Sequence, residues 1–280
     1  IQNGAFYDYK KNKRSYEVGT MPVDINKRFH VPNLLCFSQF EIDEFKKNNV
    51  NVGKFYKVGS LRLENALNHI SKHKFEIKDS EYDICMISDA FVIGINERFK
   101  IPKMEEGLAM LAKYLIQFSI KHNKKTVFAL KRTDKKELDD EIKFYQRYLT
   151  SEEFNFFLKN FLDRGNNRHA SYIAMLSSKV LVSTITTMLR ERLALGKKIL
   201  SCNFSPTDLW DFPIEGSCTI NEHCSYEFFE KKLLYICTAD ITTYLNQISK
   251  NKNYLMEYDT NHTTSQKIKD IINLNLNKEF

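Results

Sequence analysis

Glycine, proline and tryptophan are scarce in this chain. Its 280 residues include 9 Gly, 5 Pro and 1 Trp. It contains no Walker A loop and no G-x-G-x-x-G fingerprint, the glycine-rich phosphate-binding patterns of NTPases and dinucleotide oxidoreductases. The sequence therefore argues against both of those enzyme classes.

Paired cysteine motifs are also absent. The six Cys residues are scattered and form no C-x-x-C pair. Cys218, His223 and Cys224 lie near one another in sequence, but their spacing fits no common zinc pattern. We therefore predict no metal site and no cofactor, and reduced thiols in a cytoplasmic protein.

Long apolar runs are missing as well. No run approaches the ~20 residues that a membrane span needs, and no segment has the layout of a signal peptide. Lys and Arg number 42 against 35 Asp and Glu, a net charge of +7. This excess suits an anionic partner, such as a phosphate or the inner face of the cytoplasmic membrane, or else reflects a Lys- and Asn-rich composition without functional meaning. No nucleic-acid-binding signature is present, so nucleic acid is not a predicted partner.

Short apolar runs alternate with helical periodicity from residue 82 onward. Strands are predicted at 82–88, 126–132 and 180–182, in the apolar run that follows Lys197 and Lys198, and at 217–220. Between and after them, helices are predicted from Met104, Thr150, 170–177, Thr187, Ser225 and Asp240. Strands separated by helices pair in parallel, because parallel neighbours need a crossover. The predicted fold class is α/β, with a doubly wound parallel sheet flanked by helices.

The first 78 residues differ from the rest. A strand at 33–38, a helix from Gln39 and a strand at 54–60 form one βαβ-like unit, too small to stand alone. The polar stretch 68–81 is the predicted boundary. We therefore interpret residues 1–78 as the last part of an N-terminal α/β domain plus linker, and residues 79–280 as a nearly complete second α/β domain.

The strongest candidate site is the stretch "VLVSTITTMLRERLALGKKILSCNF", residues 180–204. Thr184, Thr186 and Thr187 lie where a buried strand passes into a helix, and Glu191 follows one turn down the same face. In an open α/β sheet, ligands bind beyond the carboxyl ends of the strands, where helix starts favour anions. The alternative is that Thr184 or Thr187 merely caps the helix and that Glu191 interacts with the helix dipole. Arg190 and Arg192 are further possible partners of Glu191.

Other candidate residues lie at predicted strand ends and turns. Lys131 and Arg132 end one strand and suit phosphate, although a solvated basic loop would look the same. Ser88 ends another strand, and Arg62 follows a Gly turn. Gln2 and Asn3 are further candidates, for contacts with ligand hydroxyls.

Several of these stretches together resemble GT-B glycosyltransferases. The pattern is Thr186-Thr187, three spacers, Glu191 and then "ALGKK", supported by "QNG", "KVGSLR", "FALKR", "SYIAMLSS" and "FPIEGSCTI". These flanking stretches resemble bacterial surface-carbohydrate transferases, which build capsule or lipopolysaccharide glycans and some of whose relatives are Kdo transferases.

The resemblance implies two Rossmann-like domains, with residues 79–280 binding a nucleotide-sugar donor and residues 1–78 on the acceptor side. Thr184, Thr186, Thr187, Glu191, Ser88, Lys131 and Arg132 would contact the donor, and Gln2, Asn3 and Arg62 would face the cleft. A CMP-linked sugar is the favoured donor, the acceptor is a glycan or glycolipid, and no metal is needed. Candidates for the catalytic base are Asp8, Asp24 and Asp89. Two alternatives stay open: a nucleotide-sugar 2-epimerase and a non-catalytic nucleotide- or glycan-binding module.

Overall fold

The fold is built on two parallel sheets. It is known from a computed structural model, which describes residues 30–47, 50–88, 103–130, 135–162, 167–184, 186–206, 208–212, 214, 216–248 and 253–276. The smaller sheet pairs β1 (Val31–Cys36) with β2 (Val52–Lys57), and α1 (Gln39–Lys47) connects them. After β2 comes α2 (Leu61–Lys72), whose first turn is capped by Ser60.

The larger sheet contains five strands, all parallel, in the order β4-β3-β5-β6-β7. The strands are β3 (Tyr82–Ile87), β4 (Thr126–Ala129), β5 (Ser178–Ser183), β6 (Lys198–Cys202) and β7 (Thr219–Ile220). Its connecting helices are α3 (Met104–Lys121), α4 (Lys135–Tyr148), α5 (Ser151–Lys159), α6 (Ala170–Leu176) and α7 (Thr187–Ala194). The chain continues through a 3₁₀ turn (Asp208–Trp210), α8 (Tyr226–Thr238), α9 (Ile241–Ile248) and α10 (Thr264–Leu276).

Local sequence accounts for most of these elements. In β5 every residue except Lys179 is buried, as expected for a strand covered on both faces. Thr150 and Glu153 form a reciprocal capping box that starts α5, and Ser225 caps α8. The α/β class with parallel sheets flanked by helices is therefore confirmed.

Three helices of the structure are not predicted from the sequence: α2, α4 and α10. α4 and α10 were not identified, and the predicted boundary at 68–81 overlaps the last turns of α2. In packing, Leu63, Ala66 and Ile70 of α2 belong to the core of the larger sheet. The division at residue 79 itself stays a prediction.

The last part of the chain returns to the smaller sheet. The Glu257 N–H donates to the Phe37 carbonyl at 2.9 Å, and Ser265 at the start of α10 donates from its N–H to Glu64 of α2 at 2.7 Å. Gly59 has φ +86°, and a Cβ there would lie 2.1 Å from the Glu257 carbonyl oxygen. Only glycine permits this close backbone crossing.

Candidate anion-binding site

The order of the larger sheet reverses between β3 and β5. The connection from β3 leads to β4 on one side, whereas β5 pairs on the other side. In open α/β sheets, the crevice outside the carboxyl ends at such a switch point is where ligands bind. In this chain the two strand ends are Ile87-Ser88 and Ser183-Thr184, which places the predicted hydroxyl cluster at the switch point.

Two hydroxyls at this edge serve the fold. Ser183 Oγ donates to the Ile87 carbonyl at 2.5 Å, which joins the two strand ends. The Ser88 hydroxyl lies 2.9 Å from the Tyr145 hydroxyl of α4, and Ser88 is buried. The predicted contact of Ser88 with a ligand stays a prediction.

Thr184 differs from these neighbours. Its Oγ1 is buried and has no hydrogen-bond partner among the residues that the structure describes. Its carbonyl, by contrast, accepts a hydrogen bond from Ser201 Oγ of β6 at 2.9 Å. Buried hydroxyls are normally satisfied, and an exception needs an explanation such as a ligand.

The start of α7 lies two residues further on. Thr186 is its N-cap residue, with extended backbone (φ −62°, ψ 140°), yet its hydroxyl caps none of the described N–H groups. The first N–H groups of a helix lack partners inside the helix and carry a partial positive charge. Thr186 and Thr187 are half-buried and therefore partly accessible. The alternative in which Thr184 or Thr187 caps the helix does not fit, because the N-cap residue is Thr186. The helix start can accept an anion.

Glu191 lies in the middle of α7 and is fully buried. Its carboxylate accepts hydrogen bonds from Ser60 Oγ at 2.6 Å and from the Tyr172 hydroxyl at 2.8 Å. Burial raises the pKa of Glu191, while these two hydrogen bonds and the charge of Arg62 act in the opposite direction. Both carboxylate oxygens thus have protein partners, and the predicted contact of Glu191 with donor hydroxyls stays a prediction.

The two arginines that flank Glu191 are fully buried as well. Arg190 forms an ion pair with Glu41 of α1, donates to the Tyr254 carbonyl at 2.7 Å and lies over the Tyr254 ring at 3.8 Å. Arg192 donates to four backbone carbonyls, those of Met175, Ser178, Lys179 and Lys198. These partners lie on α1 and α6, on β5 and β6, and in the segment between α9 and α10, so several elements of the fold hold α7 in place.

No sequence pattern identifies Ser60, Tyr172 and Glu41 as partners of α7. They are separated from their α7 contacts by 131, 19 and 149 positions. A serine, a tyrosine and a glutamate at such distances form no motif. Arg62, predicted to face the cleft, is exposed and close enough for its charge to act on Glu191 and Tyr172.

The other predicted site residues lie outside the described part of the chain: Gln2, Asn3, Asp8, Asp24, Asp89, Lys131 and Arg132. Within the described part, no group of three or more His, Cys, Asp and Glu side chains is arranged to hold a metal ion. No described helix is both long and apolar enough to cross a membrane.

Comparison with known proteins gives distant structural likeness alone. No protein-family model and no curated protein sequence matches the chain. Among solved structures, it is similar to the wall teichoic acid polymerase TagF. A TagF variant soaked with CDPG gives 13% identity and a TM-score of 0.47, the unsoaked variant 14% and 0.45, and TagF itself 13% and 0.37. Each alignment covers 88% of this chain and 58% of the TagF chain.

Proposed function

We propose that this chain is part of a GT-B type glycosyltransferase in bacterial surface-polysaccharide synthesis, and that the start of α7 binds the phosphate of its nucleotide-sugar donor. The observation that carries the proposal is the buried Oγ1 of Thr184, which lacks a partner in the described chain. It lies at the switch point of a parallel sheet, two residues before a helix start without a side-chain cap.

Phosphate is the ligand group that suits this position best. The helix start offers N–H donors and a partial positive charge, and Thr184, Thr186 and Thr187 can add hydroxyl donors. In a transfer reaction negative charge develops on the leaving phosphate, and preoriented donors stabilise that charge without a metal. Arg132 and Lys131 remain proposed further phosphate contacts, and a CMP-linked sugar remains the proposed donor.

Glu191 enters this proposal as a residue that positions α7. Its two hydrogen bonds join α7 to the cap of α2 and to α6. A ligand hydroxyl would have to replace Ser60 or Tyr172 to reach the carboxylate. The proposal also includes transfer to a glycan or glycolipid acceptor, membership of the Kdo-transferase subgroup and a location at the inner face of the cytoplasmic membrane.

Thermal unfolding with nucleotides tests the donor site. A ligand that binds only the native state at 100 times its Kd stabilises it by about 2.7 kcal/mol. We expect one series among CMP, CDP, UDP and GDP, with their sugar derivatives, to raise the Tm of the wild type. Thr184→Val should lose this increase while its Tm without ligand stays near that of the wild type.

Thr242→Val is the matched control, because Thr242 is an exposed helical threonine of α9. It should keep the full ligand-induced increase. Equal increases for Thr184→Val and the wild type would overturn the phosphate site. If a donor binds, measuring product with and without a glycan acceptor separates transfer from epimerisation and from binding alone.

A further inference from the structure

A second concave surface lies at the same edge of the larger sheet. A cavity of about 640 Å³ opens between the start of α3, the loop after β6 and the residues after β7. Cavities of this size are typical of small-molecule sites. None of the residues predicted from the sequence lines it.

The lining is rich in hydrogen-bond acceptors. The carboxylates of Glu106, Asp208, Asp211 and Glu222 face it, against one lysine and one histidine among the lining residues. This charge disfavours a phosphate, whereas carboxylates readily accept hydrogen bonds from hydroxyl groups. Phe204 and Met110 add apolar surface for C–H groups. Hydroxyl acceptors beside apolar surface suit a sugar or another polyol.

The wall of this cavity is held in place before any ligand arrives. Asn203 is buried; its Oδ1 accepts from the Ser205 N–H at 3.1 Å and its Nδ2 donates to Asp211 at 2.7 Å. Gly107 in the first turn of α3 lets this loop approach, because a Cβ there would lie 2.8 Å from the Ser205 nitrogen. A preformed wall lowers the ordering cost of binding.

The cavity is a neighbour of the proposed phosphate site along the sheet edge. Ser201 of β6 donates to the Thr184 carbonyl at 2.9 Å, and Phe204, three residues after Ser201, lines the cavity. We propose that this cavity binds the hydroxyl-bearing sugar or polyol part of a ligand whose phosphate lies at the start of α7. This inference rests on the proposed function for the phosphate half of the ligand, but the recognition of hydroxyls by the cavity stands on its own lining.

Trp210 lies between the lining residues Asp208 and Asp211 and provides a fluorescence reporter. It is the one tryptophan of the chain and lies in the 3₁₀ turn that carries Asp208. Its fluorescence can be titrated with nucleotides, with the corresponding nucleotide-sugars, and with free glucose and glycerol. We expect a response to the sugar-bearing ligands and the free polyols, and a weaker response or none to the nucleotides alone.

Two variants test the cavity. Asp208→Asn and Glu222→Gln should each weaken nucleotide-sugar binding about tenfold, since a hydrogen bond to a charged group is lost. Their affinity for the nucleotide alone should stay within about twofold of the wild type. Glu222 is exposed, so its variant is expected to fold normally. Glu227→Gln, exposed on α8 and away from the cavity, is the matched control.

The outcomes distinguish this inference from the proposed function. If both cavity variants bind nucleotide-sugars and free polyols as the wild type does, the cavity proposal is wrong even if Thr184→Val abolishes nucleotide binding. If no nucleotide binds but free polyols bind and Glu222→Gln weakens them, the cavity proposal stands and the donor proposal fails. Absence of a response to every polyol and nucleotide-sugar overturns the cavity proposal.

Discussion

The start and the middle of α7 are opposite in character. At the start, Thr186 makes no side-chain cap, and the buried hydroxyl of the nearby Thr184 has no described partner. In the middle, Arg190, Glu191 and Arg192 are fully buried and hydrogen-bonded to residues of several other elements of the fold. Thr184 and Thr186, just before α7, thus have hydrogen-bonding capacity that no described residue uses, whereas the ionisable side chains in the middle of α7 are held by the protein.

The contrast shows how hydrogen-bond donors without protein partners can be held in a fixed position. An isolated helix of this length is not stable in water, so α7 depends on its neighbours for position. Arg190 and Glu191 connect it to Glu41 and Ser60, which precede the larger sheet in the chain. The rigid middle therefore holds the donors at the start in a fixed direction, which is what a preoriented anion site requires.

The largest expected effect on stability comes from replacing Arg190 in the middle of α7. Arg190→Met should lower the free energy of unfolding by about 3–5 kcal/mol, because it leaves the buried Glu41 carboxylate without its cation. Chemical denaturation at neutral pH measures this loss. The double variant Arg190→Met with Glu41→Leu should recover a large part of it, since no buried charge remains. Equal losses in the single and double variants would show that uncompensated charge is not the cause.

The next effect concerns the crossing that returns the C-terminal segment to the smaller sheet. Gly59→Ala should cost about 2–4 kcal/mol, because its Cβ would meet the Glu257 carbonyl in addition to the strain at positive φ. Gly196→Ala is the matched control: φ is +67°, but the nearest atom to its Cβ is 4.0 Å away. That variant should cost about 1 kcal/mol from strain alone. Similar losses for both would mean that the close crossing contributes nothing.

Periodicity and caps predicted most of the larger sheet. The apolar runs that became β3, β4 and β5, and the capping box of Thr150 and Glu153, are local patterns that sequence alone displays. α10 was missed because its apolar residues are interspersed with polar ones, and several of them stay exposed. Its position depends on long-range contacts, such as that of Ser265 with Glu64.

The site could be located from sequence but not understood in detail. The threonines at the strand-to-helix junction were found because a strand end and a helix start are both local features. The partners of Glu191 could not be found, since Ser60 is 131 residues away and no rule of spacing joins them. The sequence also could not show which of the hydroxyls of Ser183, Thr184 and Thr186 form hydrogen bonds within the protein.

The next prediction concerns the pH dependence of the free energy of unfolding, to which Glu191 in the middle of α7 contributes. Burial raises the pKa of Glu191 above its ordinary 4.5, so the folded state holds this proton more tightly than the unfolded state. The stability from Glu191 is therefore present below pH 4.5 and is lost as pH rises through the raised pKa. Glu191→Gln removes this titration. Its free energy of unfolding, measured by denaturation from pH 4 to 8, should fall less with rising pH than that of the wild type, and parallel curves would contradict the assignment.

The smallest effect on stability is expected for Thr184, next to the start of α7. Thr184→Val should change the free energy of unfolding by less than about 1 kcal/mol, because it replaces a buried hydroxyl that has no described partner with a methyl group of similar size. Its neighbour provides the comparison: Ser183→Ala loses the bond to the Ile87 carbonyl and should cost about 1 kcal/mol. Denaturation of both variants without ligand measures the difference. A loss for Thr184→Val as large as that for Ser183→Ala would show that the fold already uses this hydroxyl, and the contrast between the two regions of α7 would disappear.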